Sequence, residues 1–181
     1  MLGGRLPARA EGIGAVSLGS VRYLTVGLFG GGLLLGLDTL VSQAFGAGRV
    51  ADCHRSLLNG IYLSLILTPL LMGFVWLSVP LLYSFDIHPA VLREAVPYLG
   101  AINWSTFPLL LYFAFRRYLQ AMNLVKPITF ALVTANLVNA GVNWLLIFGH
   151  LGAPALGVAG AGWATTFSRF YMAAVLVGYA L

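Results

Sequence analysis

From Ser56 to Tyr83 the chain carries no Asp, Glu, Lys, Arg or His. A helix rises about 1.5 Å per residue, so this stretch alone outreaches the roughly 30 Å hydrocarbon core of a bilayer. Four further apolar stretches, at about 21–44, 98–118, 128–148 and 161–181, have the same character, and short polar connections separate all five. Soluble domains carry about 25% charged residues; this chain of 181 residues has 8%, with 60% hydrophobic residues and a mean hydropathy of +0.91. So few charges cannot cover a water-facing surface, and most of the exterior must meet lipid. The expected fold class is all-α: a polytopic transmembrane helical bundle of about five spans, multi-pass in the inner or plasma membrane of the cell.

The connections set an orientation. Arg49 and Arg55 follow span one, and Arg116, Arg117 and Lys126 follow span three, so both loops fall on one side. An excess of Lys and Arg marks the cytoplasmic face. The other side holds Arg93 beside Asp86 and Glu94, and the uncharged part of the Gly/Pro loop that begins at His150. Arg22 runs slightly against this pattern. Met1–Ser20, with Arg5, Arg9 and Glu11, lacks the layout of a cleaved signal peptide and reads as a loop or the worn end of a helix. The fifth stretch reaches Leu181 without a polar tail, an abrupt end. A net charge of +5, thinly scattered, excludes a nucleic-acid surface.

Enzyme constellations are missing. The chain has no Gly-x-Ser-x-Gly elbow, no His-Glu-x-x-His pair and no phosphate-cradling glycine loop. His54, His88 and His150 are far apart and read as solvated loop residues, and the single cysteine, Cys53, excludes an internal disulfide. The reading is a protein without catalytic activity, cofactor or metal.

Polar residues within the spans carry more information. Asp38 lies inside span one, where an ionised side chain facing lipid costs at least about 2.5–3.5 kcal/mol. It serves either as half of a structural pair or helix-end contact, or as a proton or cation relay. Arg169, near the middle of span five, is the matching oddity. Both spans run inward under this topology, at depths differing by about one or two turns, so an Asp38–Arg169 charge pair is expected. Span four carries Asn136, Asn139 and Asn143, the last two spaced by four and therefore on one helix face. This stripe is either interhelical hydrogen-bond glue or the lining of a polar cavity. Thr165 and Thr166 add hydroxyls that serve such a cavity or bond their own backbone. Pro69 and Pro108 are expected to kink spans two and three.

Three stretches together resemble the multidrug and toxic compound extrusion (MATE) family. They are Gly36-Leu-Asp-Thr-Leu-Val-Ser-Gln-Ala-Phe-Gly-Ala-Gly48, Arg117-Tyr-Leu-Gln-Ala-Met-Asn-Leu-Val-Lys-Pro127, and Ala135-Asn-Leu-Val-Asn-Ala-Gly-Val-Asn-Trp-Leu-Leu-Ile-Phe-Gly149, continuing to Thr166. Family members have twelve helices in two six-helix lobes. The present spans resemble helices two to six of the first lobe, with Met1–Ala15 like the tail of helix one. The resemblance therefore implies an incomplete N-terminal lobe whose partner, the second lobe, lies outside this chain. It also implies multidrug efflux: antiport of small amphipathic organic cations against H+ or Na+ as coupling ion. Asn139 and Asn143 match polar positions of the family's fifth helix that help form a cation site, and Thr165 matches a nearby position of the sixth. Asp38 matches a second-helix position that is acidic in some branches. The second matched position of helix five is acidic in some members and is Asn143 here. The alternatives are a lipid or polysaccharide-precursor flippase of a related superfamily, expected to carry more basic residues in its cavity than Arg169, or a non-transporting membrane fragment.

The orientation is testable by replacing Cys53 and introducing single cysteines at positions 49 and 126. An impermeant thiol reagent added to intact cells should leave both unlabelled until the membrane is opened; efficient labelling from outside would invert the topology.

Overall fold

The computed structural model describes residues 5–84, 87–152 and 154–180, with side chains from residue 12 onward except at positions 22, 25 and 26. Met1–Gly4, the turn residue Asp86 and the charges of Arg5, Arg9, Glu11 and Arg22 lie outside the described part. The described elements are α1 (Arg5–Leu33), α2 (Leu35–Gly46), α3 (Val50–Leu82), α4 (Pro89–Asn103), α5 (Thr106–Ala121), α6 (Lys126–Phe148) and α7 (Gly157–Ala180), with a single 3-10 turn at His150–Gly152. All are helical, as an all-α membrane bundle requires.

The beginning of the chain departs from expectation. Residues 5–20 are neither a loop nor a separate helix tail; α1 runs unbroken from Arg5 into the first span. Ala, Leu, Arg and Glu supply good helix formers here, and in lipid a continuous helix satisfies its own backbone. The helix breaks instead at Leu34, after Gly30-Gly31-Gly32, where Leu34 N–H reaches Gly30 O at a stretched 3.4 Å and Leu37 N–H turns back to Leu34 O at 3.1 Å. A Cβ on Gly30 would stand 2.6 Å from Leu110 Cδ2 and 3.0 Å from Leu71 Cδ1, so α1 meets α3 and α5 closely here and an added methyl would push those leucine tips aside.

Among the described residues, three stretches are long and apolar enough to cross a membrane by length and composition: Gly27–Gly46, Val50–Leu82 and Lys126–Phe148. The expected third span is a broken rod: α4 and α5, of 15 and 16 residues, are each short of a crossing and meet at Trp104–Ser105. Pro108 has no N–H to give the Trp104 carbonyl, which is why the ladder opens four residues earlier. Pro69 behaves otherwise, since α3 is uninterrupted there. The fifth expected span is α7, whose 24 residues include Thr165, Thr166, Ser168 and Arg169.

Burial follows the helical period. In α3 the inward stripe is Cys53, Leu57, Gly60, Ser64, Leu67, Leu71, Val75, Ser78 and Leu82. The opposite face is equally apolar, with Leu77 80% and Leu70 64% exposed, as a lipid-facing helix should be. Helix α7 packs on α6, α4 and α5; α1 packs on α4; α3 packs on α5 and α2. The larger core joins Val41, Cys53, Ala114, Phe115, Tyr118 and Leu176, and a smaller one gathers Tyr23, Tyr98 and Ile102 where α1 meets α4.

Gly162 brings α7 against α4: a Cβ there would lie 2.9 Å from the Tyr98 carbonyl oxygen and 2.9 Å from Ala101 Cβ. Backbone cannot yield as a side-chain tip does. Gly162→Ala should therefore destabilise the protein by about 1–3 kcal/mol, the usual scale of overpacking. Gly141→Ala, with nothing within 4 Å of the new carbon, should be neutral or stabilising. Thermal unfolding in one detergent checks both, and equal shifts would show that α4 and α7 do not approach this closely.

Candidate functional site

The break between α4 and α5 collects polar groups in the interior of the bundle. Asn103 and Ser105 are fully buried and Thr106 nearly so. Thr106 Oγ1 donates to Asn103 O at 2.7 Å, Ser105 Oγ contacts Ile102 O at 2.6 Å, and Asn103 Nδ2 donates to Met72 O of α3 at 3.3 Å. From α1, Tyr23 places its hydroxyl 3.3 Å from Thr106 Oγ1 and 3.0 Å from Ser105 Oγ. From α7, Arg169 donates from Nη1 to Ser105 Oγ, and its guanidinium lies 4.8 Å from the centre of the Tyr23 ring. Five helices, α1, α3, α4, α5 and α7, thus meet on one continuous set of hydrogen bonds.

A cavity of about 370 Å³ adjoins this network, lined by Ser20, Val21, Tyr23, Leu24, Tyr98, Ile102, Thr165 and Arg169. Ser20 Oγ and Tyr98 OH are bonded at 3.0 Å across it. Thr165, one turn before Arg169 and on the same face, bonds Ala161 O of its own helix at 3.0 Å.

Asn139 and Asn143 are placed elsewhere. They continue the buried α6 stripe of Ala131 and Ala135 at the same spacing of four and are partly buried. Asn143 Nδ2 donates to Asn139 Oδ1 at 2.8 Å, whereas Asn136 is exposed and bonds Leu132 O at 2.8 Å. Neither Asn139 nor Asn143 lines the Thr165–Arg169 cavity.

The expected Asp38–Arg169 pair does not form. Asp38 Oδ2 is 3.2 Å from Nη1 of Arg117, with the two side chains 35% and 25% exposed. Arg117 does not emerge into a loop: α5 continues to Ala121, and the guanidinium stays between helices. Asp38 lies eight residues before the end of α2 and Arg117 four before the end of α5, an offset of about 6 Å that an arginine side chain spans. Arg169 lies deeper along α7 and takes Ser105 and Tyr23 instead. Asp38 therefore belongs to a helix-end contact, apart from both the asparagines and the cavity.

The histidines also have places. His54 Nδ1 is 3.0 Å from Tyr118 OH, His88 Nδ1 accepts from Ala90 N–H at 3.4 Å and caps α4, and His150 stacks on Trp144 with ring centres 4.1 Å apart. Cys53 is a buried free thiol. Reading the sequence overlooked Tyr23, Asn103, Ser105 and Thr106. The signal was available in Asn103-Trp-Ser-Thr106 followed by Pro108, a polar cluster with a helix breaker inside an otherwise apolar span.

The ion pair is open to a double-mutant cycle. Asp38→Asn and Arg117→Gln should each destabilise, and the double substitution should cost less than their sum by about 0.5–1 kcal/mol, the scale of a partly exposed pair. Asp38→Asn with Arg169→Gln should be additive. Coupling of Asp38 to Arg169 in detergent unfolding would contradict the observed partners.

Comparison with known proteins gives this bundle a family. The chain is 35% identical over 165 residues to a "Probable multidrug resistance protein NorM" of Geobacillus kaustophilus, covering 91% of this chain and 36% of that protein. It is 30% identical over 172 residues to the "Multidrug resistance protein NorM" of Vibrio parahaemolyticus, covering 95% and 38% respectively. The chain thus spans a little over a third of the length of these relatives. A solved structure described as the inward-facing conformation of a multidrug resistance MATE family transporter of the MOP superfamily superposes with a TM-score of 0.71 over 94% of this chain and 38% of that one, at 20% identity, which establishes a shared fold. The MatE family profile matches residues 1–145, and with that extent of agreement the chain belongs to the MatE family, the multidrug and toxic compound extrusion transporters.

Proposed function

We propose that this chain forms part of an exporter in the inner or plasma membrane that moves amphipathic organic cations outward in exchange for H+ or Na+. The observation that carries the reading is the bonded Asn139–Asn143 pair: two partly buried amides that hydrogen-bond each other, on a long apolar helix where Asn136, Thr129 and Thr134 bond only their own backbone. With Asn143 donating to Asn139, the carbonyl oxygen of Asn143 is left as an acceptor for a cation. Amide oxygens are neutral and hard, suited to Na+ or to a hydrated proton carrier, and a carboxylate from beyond this segment would supply the charge that they lack. The relatives named as multidrug resistance proteins support export of drugs. The alternating movement of two halves around a midplane site, usual for repeat-built transporters, would need the length that those relatives have and this chain does not span. The flippase alternative calls for several basic side chains in the cavity, and among the described lining residues Arg169 alone is charged.

In a full-length transporter carrying this segment, Asn143→Ala should lower drug export severalfold and weaken its dependence on the imposed ion gradient, at unchanged protein level. Asn136→Ala should be tolerated, because its amide serves its own helix at an exposed position. Ethidium efflux from energised vesicles under separate proton and sodium gradients makes the comparison. If Asn139→Ala and Asn143→Ala reduce only the amount of folded protein, the pair is packing glue and the cation reading fails.

A further inference from the structure

We propose that the cavity between α1, α4 and α7 is a carboxylate-binding site, with Arg169 as its anchor and an aromatic or otherwise apolar body as the rest of its ligand. The inference concerns binding and holds or fails whether or not the segment takes part in cation export.

The first argument is charge. Two ion pairs are formed among the described side chains, Arg49–Asp52 and Arg117–Asp38. Arg169 is in neither. Of the remaining acids, Glu94 is exposed in the first half of α4, Glu11 is carried by α1 twelve residues before Tyr23, about 18 Å along the helix, and Asp86 lies outside the described residues. Among the described residues, this guanidinium halfway along a membrane-embedded helix is faced by a hydroxyl and a ring and by no carboxylate, where such a group usually has a counter-charge.

The second argument is donor capacity. A guanidinium carries five N–H groups in a planar fork. Ser105 Oγ accepts from Nη1, and the Tyr23 ring lies beneath the plane at 4.8 Å. With Ser105 and Tyr23 both engaged, the five-donor fork still keeps N–H groups for whatever fills the cavity. Two parallel N–H groups match the two oxygens of a carboxylate, the arrangement that makes arginine its preferred partner.

The third argument is the shape and lining of the space. Its volume of about 370 Å³ falls within the roughly 300–1,000 Å³ typical of small-ligand pockets. The hydroxyls of Ser20 and Tyr98 stand at one part of the wall and that of Thr165 one turn from Arg169. Val21, Leu24 and Ile102 make the rest of the wall apolar, and exposure of Val21 and Leu24 shows that the space is reached from outside the bundle. One strong cation at an end of an apolar, hydroxyl-dotted cleft suits an amphipathic acid. A simple cation would meet repulsion at the same spot.

The test uses the 181-residue chain in nanodiscs of uncharged lipid, titrated calorimetrically with sodium benzoate and, as a neutral isostere, benzamide. Benzoate should bind saturably, and benzamide at least tenfold more weakly. Arg169→Gln should lose at least tenfold in benzoate affinity, while Arg169→Lys, keeping the charge without the fork, should fall between. Because Arg169 also holds Ser105, helicity and thermal midpoint are recorded for each variant. Thr165→Phe is the independent control: it leaves Arg169 in place, the lost hydroxyl served only its own helix, and the ring fills the cavity, so benzoate binding should be abolished in a folded protein. No saturable benzoate binding to the wild type, equal binding of benzoate and benzamide, or wild-type affinity in either Arg169→Gln or Thr165→Phe would each overturn the proposal and leave Arg169 a structural clasp.

Discussion

Everything in this bundle is arranged around one opening in a helix. Pro108 removes the partner of the Trp104 carbonyl, and the α4–α5 rod comes apart over two residues in a region where no bulk water can repair it. A buried polar group left unpaired costs about 1–3 kcal/mol. Asn103, Ser105 and Thr106 are therefore turned to short-range bonds with the backbone, and Asn103 reaches α3 through Met72 O. Tyr23 and Arg169 arrive from α1 and α7 to complete the set. These bonds fix how five helices sit against one another more tightly than apolar packing would, since lipid tails compete for apolar contacts and offer nothing to a hydroxyl.

Helix α7 can take part only because of what it lacks higher up. Gly162, Thr166 and Arg169 are spaced i, i+4, i+7 and so share a face. Gly162 allows backbone-to-backbone approach to α4, Thr166 Oγ1 then donates to Ala101 O at 2.8 Å, and Arg169 reaches the break at the next turn. A small residue, a short polar one and a long cation thus act in order along a single stripe.

The sequence exposed the part of this that depends on hydrophobicity. Runs too long and too apolar for water identified a helical membrane bundle, and the three motifs together pointed to the family that the profile match established. It did not expose what depends on where helices stop or on pairing across the bundle. Arg117 was assigned to a loop because charge was taken to mean water, yet α5 carries four more residues and the guanidinium turns inward to Asp38. Residues 5–20, weakly hydrophobic and containing glycines, read as a loop or the worn end of a helix, whereas glycines within a membrane-embedded helix are tolerated when they face a neighbour, as Gly19 faces the Tyr98 ring. Tyr23, Ser105 and Thr106 are unremarkable singly, and only the fold brings the first within reach of the other two across more than eighty positions.

Arg169 is harder to account for as structure alone than any other residue of the network. Holding Ser105 requires a single donor, and a tyrosine or glutamine could supply one without bringing an ionised group into the membrane at a cost of about 2.5–3.5 kcal/mol. Stacking over Tyr23 returns part of that, on the order of 2 kcal/mol where water is excluded. The remainder is a liability unless an anion meets the unused side of the fork. Arg117 shows how the same chain deals with an arginine that only needs to be held: it is placed near a helix end and given Asp38. Among the described residues Arg169 has neither the helix end nor a carboxylate, and it lines a cavity in place of meeting a partner of opposite charge.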